Sequence, residues 1–188
     1  MGRWEPNARG RLEQAALELY VERGFERTTV AEIAERAGLT ERTFFRHFAD
    51  KREVLFGGSF LLQQHMVDGA AAAPQGATPL EAVGAALDAV GEVFRGRHAH
   101  ARRRQAVIAA NPELRERELI KMTTLSAALA ETLRGRGLAE PAASLAAEAG
   151  IAVFHVAFGQ WVAGDEEQDM RPLLRDALEQ LRAVTGTG

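Results

Sequence analysis

The sequence predicts an all-α protein, and three observations carry that prediction. Apolar residues recur at the helical period from one end of the chain to the other. No alternating run rich in β-branched residues lasts more than a few positions. Threonine and aspartate caps and glycine stops punctuate the periodic segments. The length, 188 residues, allows one compact unit or two small ones and excludes a large multidomain assembly. At 46% hydrophobic and 26% charged residues the composition is that of a folded globular protein, which excludes a disordered chain and a fibrous repeat.

The first helix is expected over about residues 7–23, with Leu12, Ala15, Ala16, Leu19 and Tyr20 on one face and Gly24 as a left-handed C-terminal cap. Thr29 and Glu32 have the spacing of a capping box for a second helix, whose apolar stripe is Val30, Ile33, Ala34 and Ala37 and which Gly38 ends. Thr40 caps a third helix from Glu41 to about Ala49. Asp50 with Glu53 makes another capping box, and the helix it opens is expected to run to about Ala72 through Gly57 and Gly58. After a linker, Thr78-Pro79-Leu80-Glu81 joins a capping box to proline at the first helical position, so a helix runs on to about Arg95. Further helices are expected over about 98–109, 112–134, 142–163 and 171–184, nine in all.

The absence of cysteine removes disulfides, thiolate metal sites and cysteine nucleophiles, and suits a reducing cytoplasm. The opening MGRWEPNARGRLE has no apolar core of signal-peptide length. The longest uncharged stretch, Ala149 to Gly164, is broken by His155 and Gln160 and falls short of about 20 apolar residues, so the chain is expected to be neither exported nor membrane-spanning. No nucleophile–base spacing, phosphate loop or metal motif points to an enzyme, and no cofactor or metal is expected. His98 and His100 diverge by about 200° on a helix, too far to share a metal.

A net charge of −3 is the wrong overall sign for nucleic acid, so the distribution of charge decides. Residues 1–56 carry ten basic and ten acidic side chains, whereas residues 57–188 carry thirteen against sixteen. The acidic excess therefore lies wholly in the second part.

Helix, glycine turn and helix within residues 29–48 form a helix-turn-helix pattern, whose second helix can enter the major groove. At about 100° per residue, Phe44 and Phe48 share one direction and belong to the core. The opposite direction holds Arg46, flanked by Arg42 and Thr43, with Phe45 and His47 at the edges. Arginine suits guanine O6 and N7, threonine suits a hydrogen-bonding edge or a thymine methyl, and Glu41 can accept from cytosine N4. Two arginines on a short helix are also compatible with a plain solvated face; the surrounding pattern decides between the readings.

Residues 16–55, ALELYVERGFERTTVAEIAERAGLTERTFFRHFADKREVL, resemble the DNA-binding region of the TetR family of bacterial transcriptional regulators. The resemblance implies a DNA-binding domain over 1–52 and a helical effector-binding and dimerisation domain over 53–188. It implies base contacts from Glu41, Arg42, Thr43 and Phe45, and backbone contacts from Thr29, Thr40, Arg46, His47 and Lys51. Phe45 stands where the family usually has tyrosine, and so lacks a hydroxyl for phosphate. Arg9 and Arg11 are either solvated charge or a basic arm on phosphate.

The resemblance further implies a homodimer whose seam is built from the last two helices, with Ile151, Phe154, Phe158 and Trp161 on one and Leu174, Leu178 and Leu181 on the other. The same stripes could instead close the protomer's own core. Phe60, Gln64, Phe94, Ile108, Met122, Leu125 and His155 are candidates for an effector pocket, with ordinary core packing as the alternative. Arg102-Arg103-Arg104 is either solvent-facing or an anchor for an acidic effector. The expected partners are thus a double-stranded operator, a second copy of the chain and an unidentified small molecule. The leading expectation is a repressor that an apolar or amphipathic ligand releases. The alternative is an effector-independent regulator or activator without a functional pocket.

Overall fold

A computed structural model describes residues 7–164 and 168–186 of the chain. Among the described residues there are nine α-helices, one 3-10 turn and no strand. They are α1 (Ala8–Arg23), α2 (Val30–Arg36), α3 (Glu41–His47), the 3-10 turn (Glu53–Phe56), α4 (Ser59–Ala72), α5 (Pro79–Val93), α6 (His98–Ala110), α7 (Pro112–Gly135), α8 (Ala142–Ala163) and α9 (Met170–Thr185). The first six residues, on which part of the signal-peptide expectation rests, lie outside the described residues.

The expected continuous helix over 50–72 is corrected. Asp50 does cap, accepting from the backbone N–H groups of Arg52 (2.8 Å) and Glu53 (3.1 Å). Only a 3-10 turn follows, and α4 begins anew at Ser59. Tertiary contact overrides local propensity here: Arg9 on α1 donates to the Gly57 carbonyl at 2.8 Å, and a Cβ at Gly57 would collide with the Glu13 carboxylate.

The chain divides into two compact units, residues 1–58 with 103–118, and residues 59–102 with 119–188. The boundary expected at residue 52 falls inside the first unit. Its core gathers Leu12, Ala16, Leu19, Tyr20 and Phe25 around Ile33, Phe44 and Phe48, together with Val54, Leu55 and Phe56. Val107 and Ile108 of α6 and Leu114 of α7 complete it. Removing such side chains from water stabilises by roughly 1.5–3 kcal/mol each, which is what holds helices as short as α2 and α3.

The second unit packs α4 on α5, and α8 on both α5 and α9, around Met66, Val83, Leu87, Leu129, Phe154 and Trp161. By length and composition α8 could cross a membrane, but it serves here as a core helix, with Ala143, Ala147, Gly150 and Ala157 buried. α4 passes close against α5 at Gly69, where a Cβ would lie 2.7 Å from the Ala85 carbonyl oxygen and 2.9 Å from Ala86 Cα. Backbone cannot yield as a side chain tip can. Gly69→Val should therefore destabilise the protein by about 1–3 kcal/mol, seen as a lower denaturant midpoint. An unchanged midpoint would mean the two helices can slide apart without cost.

Candidate nucleic-acid interface

The helix-turn-helix is specified by local chemistry. The Thr29 hydroxyl accepts from the Glu32 N–H at 3.2 Å, while the Glu32 carboxylate accepts from the Thr29 N–H at 2.8 Å. Gly38, at φ +65°, then reverses the chain: its N–H reaches the Glu35 carbonyl at 2.9 Å and the Leu39 N–H reaches Ala34 at 2.8 Å. This pair of bonds closes α2 in a Schellman motif, which a side chain at φ > 0 would strain. The Arg11 guanidinium donates to the Ala37 carbonyl. Thr40 caps α3, accepting from the Thr43 N–H at 3.2 Å.

Phe44, fully buried, and Phe48 anchor α3 with ring centroids 5.6 Å apart. Glu41, Arg42, Phe45 and Arg46 are exposed on its other side. Phe45 is 55% exposed and its ring meets Phe44 edge-on at 5.4 Å, so a large apolar surface is held in water by its neighbour. Thr43 is half-buried, its hydroxyl 3.1 Å from that of Thr40. Four other arginines of this unit are paired, Arg9 with Glu13, Arg23 with Glu32, Arg36 with Glu22 and Arg52 with Asp50. Among the described residues Arg42 and Arg46 have no carboxylate within ion-pair distance, which leaves both guanidiniums available for an external acceptor.

Three expected backbone contacts are placed differently. The Lys51 ammonium donates to the carbonyls of Phe25 (2.9 Å), Glu26 (3.3 Å) and Thr28 (3.1 Å). All three of its donors are used inside the protein. His47 turns Nε2 into an enclosed position with no hydrogen-bond partner, so that nitrogen is not offered at the surface. The Thr29 hydroxyl is held 2.9 Å from Glu32, whose carboxyl is kept below the usual range by hydrogen bonds from Thr29, first from its backbone N–H. The Glu32 carboxylate thus already accepts from both the backbone N–H and the hydroxyl of Thr29. Arg9 and Arg11 are likewise engaged within the protein and form no free arm.

The expected seam and pocket are also redistributed. Ile151, Phe154, Trp161, Leu174 and Leu178 are buried in the second unit's own core, with Phe158 and Leu181 packed partly buried against it. Trp161 is 2% exposed, donates from Nε1 to the Gln168 carbonyl at 2.6 Å, and its own carbonyl lies 2.8 Å from His98 Nε2. These side chains close the protomer because α8 is apolar on more than one face. Of the pocket candidates, Phe94, Met122 and Leu125 join the core of the second unit, Phe60, Gln64 and His155 are exposed, and Ile108 is in the core of the first. Arg104 is not solvent-facing: it donates to the Leu55 carbonyl at 2.7 Å and pairs with Glu118 at 3.3 Å. No sequence pattern marked Arg104 or Lys51 for these roles, since each partner is a backbone or side-chain group distant along the chain.

Residues 13–56 match the family model described as bacterial regulatory proteins of the tetR family, and residues 77–186 match the model of the MftR C-terminal domain. The HTH-type transcriptional regulator TcmR of Streptomyces glaucescens is 40% identical over 82 residues, 44% of this chain and 36% of that protein. The HTH-type transcriptional activator FasR of Mycolicibacterium smegmatis is 38% identical over 58 residues, 31% of this chain and 25% of that protein. The matched segments thus span well under half the length of these relatives. Among solved structures, the TetR-family transcriptional repressor FadR of Thermus thermophilus, in complex with lauroyl-CoA, is 26% identical with a TM-score of 0.53 and covers 92% of both chains. A helix-turn-helix head, an all-helical second unit and two family models that together span most of the sequence agree, and this chain belongs to the TetR family of transcriptional regulators, which are not enzymes.

Proposed function

We propose that the protein binds a palindromic double-stranded operator as a homodimer and represses until a small apolar or amphipathic ligand releases it. The observation that carries the DNA reading is the outer side of α3, where Arg42 and Arg46 stand without carboxylates beside an exposed Phe45. Arg42, Phe45 and Glu41 would meet base edges, with Thr43 at the margin, while Arg46 and Thr40 would meet phosphate. Two such helices one DNA turn apart, about 34–36 Å, require a two-fold symmetric site. Selection from random duplexes should return a palindromic consensus, and an asymmetric or absent consensus would overturn this reading.

The second copy has a natural seat. Leu145, Ala149, Ala152, Val156, Gly159 and Ala163 recur along α8 at alternating spacings of four and three, the seam of a helix pair. Leu145 is 66% and Val156 53% exposed, and small residues between them allow close approach. Cytoplasmic residence follows from this reading, because the operator is there. For the ligand, the likeness to the lauroyl-CoA-bound FadR supports a fatty-acyl thioester. Calorimetric titration with lauroyl-CoA should show saturable heat and loss of operator binding. Absence of heat across acyl-CoA chain lengths would instead support an effector-independent regulator.

Phe45 makes a chemical prediction of its own. An exposed ring without a hydroxyl suits a thymine 5-methyl group and offers nothing to phosphate. Replacing the contacted thymine by uracil should weaken wild-type binding but leave Phe45→Ala unaffected. Phe45→Tyr should tighten operator and scrambled duplex alike, by about 1 kcal/mol per half-site for an added bond to phosphate. Equal sensitivity of wild type and Phe45→Ala to uracil would remove Phe45 from the base contacts.

A further inference from the structure

The ammonium of Lys51 sits in a cage of backbone carbonyls. Those of Phe25, Glu26 and Thr28 converge on Nζ at 2.9, 3.3 and 3.1 Å, and the Phe25 ring lies beneath it with its centroid at 4.3 Å. Carbonyl oxygens aimed at one point repel each other, so this loop conformation needs a cation at its centre. The loop is otherwise pinned from below: Phe25 and Thr28 are each 1% exposed, and the Thr28 hydroxyl donates to the Gly24 carbonyl at 2.9 Å. The main chain of Lys51 is fixed as well, since the buried Tyr20 hydroxyl donates to its carbonyl at 2.6 Å. Burial raises the Tyr20 pKa, so the phenol keeps its proton and the bond persists at any ordinary pH.

Resting on the reading of α3 as the DNA-reading helix, we propose that Lys51 is a positioning residue for operator binding. It acts by holding the 25–28 loop between α1 and α2, and it does not touch phosphate. The loop is the joint through which α1 sets the direction of α2, and the Gly38 turn passes that direction on to α3. With the cation removed, the carbonyls would turn outward to water, the joint would loosen, and the reading helix would lose its fixed orientation. The cage is also selective in kind. A compact ammonium directs three N–H bonds to three corners around one nitrogen, whereas a planar guanidinium spreads its donors in a fork and cannot aim them at one centre.

The test compares Lys51→Met and Lys51→Arg with the wild-type dimer on a selected operator across salt concentrations, together with amide hydrogen exchange of residues 25–29. A positioning role predicts binding about tenfold weaker or more in Lys51→Met, the scale of losing a charged hydrogen-bond donor. It also predicts an unchanged salt slope and faster exchange in the loop. It predicts that Lys51→Arg, although it keeps the charge, shows the weaker binding and the faster loop exchange in milder form. A phosphate contact predicts the opposite: a slope flattened by about one per half-site in Lys51→Met, native exchange, and near wild-type binding in Lys51→Arg. Either of the latter two slope or arginine results overturns the proposal. If Lys51→Met fails to fold, Lys51→Arg decides alone. A wild-type protein that binds no selected duplex would fail the DNA reading itself, an outcome distinct from both.

Discussion

Trp161→Arg should unfold the second unit, whereas Val156→Arg, five residues earlier on the same helix, should leave it folded and yield monomers. Trp161 is 2% exposed, with its ring 5.5 Å from Phe94 and 5.0 Å from His98 and its N–H bonded to the Gln168 carbonyl. Deleting a buried tryptophan costs about 3–5 kcal/mol, and an arginine left there without a partner adds several more. Against a total stability of about 5–15 kcal/mol, that is enough to abolish the folded state. Val156 is 53% exposed, so in the isolated protomer an arginine there meets water and costs little. In a dimer, the same arginine would be a charge stripped of water opposite its own copy. Circular dichroism and sedimentation separate the cases. A folded monomer from Trp161→Arg would return that residue to the seam, and a stable dimer from Val156→Arg would move the seam off this face of α8.

What the sequence showed and concealed follows from the range of each signal. Caps are written in three or four neighbouring residues, and Thr29 with Glu32, Thr40, and Thr78 with Glu81 all form as spaced. The inward Phe44 and Phe48 were legible because the opposite side of α3 carries Arg42, Thr43 and Arg46, which settles the core face even with Phe45 exposed beside them. On α8 no such choice was written. Trp161 and Phe154 form one apolar stripe and Leu145, Val156 and Gly159 another, and only the packing of α5 and α9 against the first decides which is interior. The break at Gly57, the entry of Ile108 into the first unit's core and the carbonyl cage around Lys51 have the same origin. Each depends on groups tens of residues away that carry no periodic mark.

Arg42→Ala should weaken operator binding by about 1–3 kcal/mol per half-site, hence about 2–6 kcal/mol for a two-fold site, and should relax preference at one symmetric pair of positions. Phe44 is fully buried, so Arg42, two residues back on the helix, points away from the core and is exposed. With no carboxylate to hold it, the guanidinium loses no ion pair on binding and meets a guanine edge with two parallel N–H bonds. Arg46 lies four residues on, near the end of α3, and its truncation should act differently. Arg46→Ala should lower affinity for operator and scrambled duplex to the same degree and flatten the salt slope by about one per half-site. Binding curves for both variants on both duplexes, at several salt concentrations, resolve the two roles. If Arg42→Ala weakened the scrambled duplex as much as the operator, Arg42 would be a phosphate contact, and reading would fall to Phe45 and Glu41.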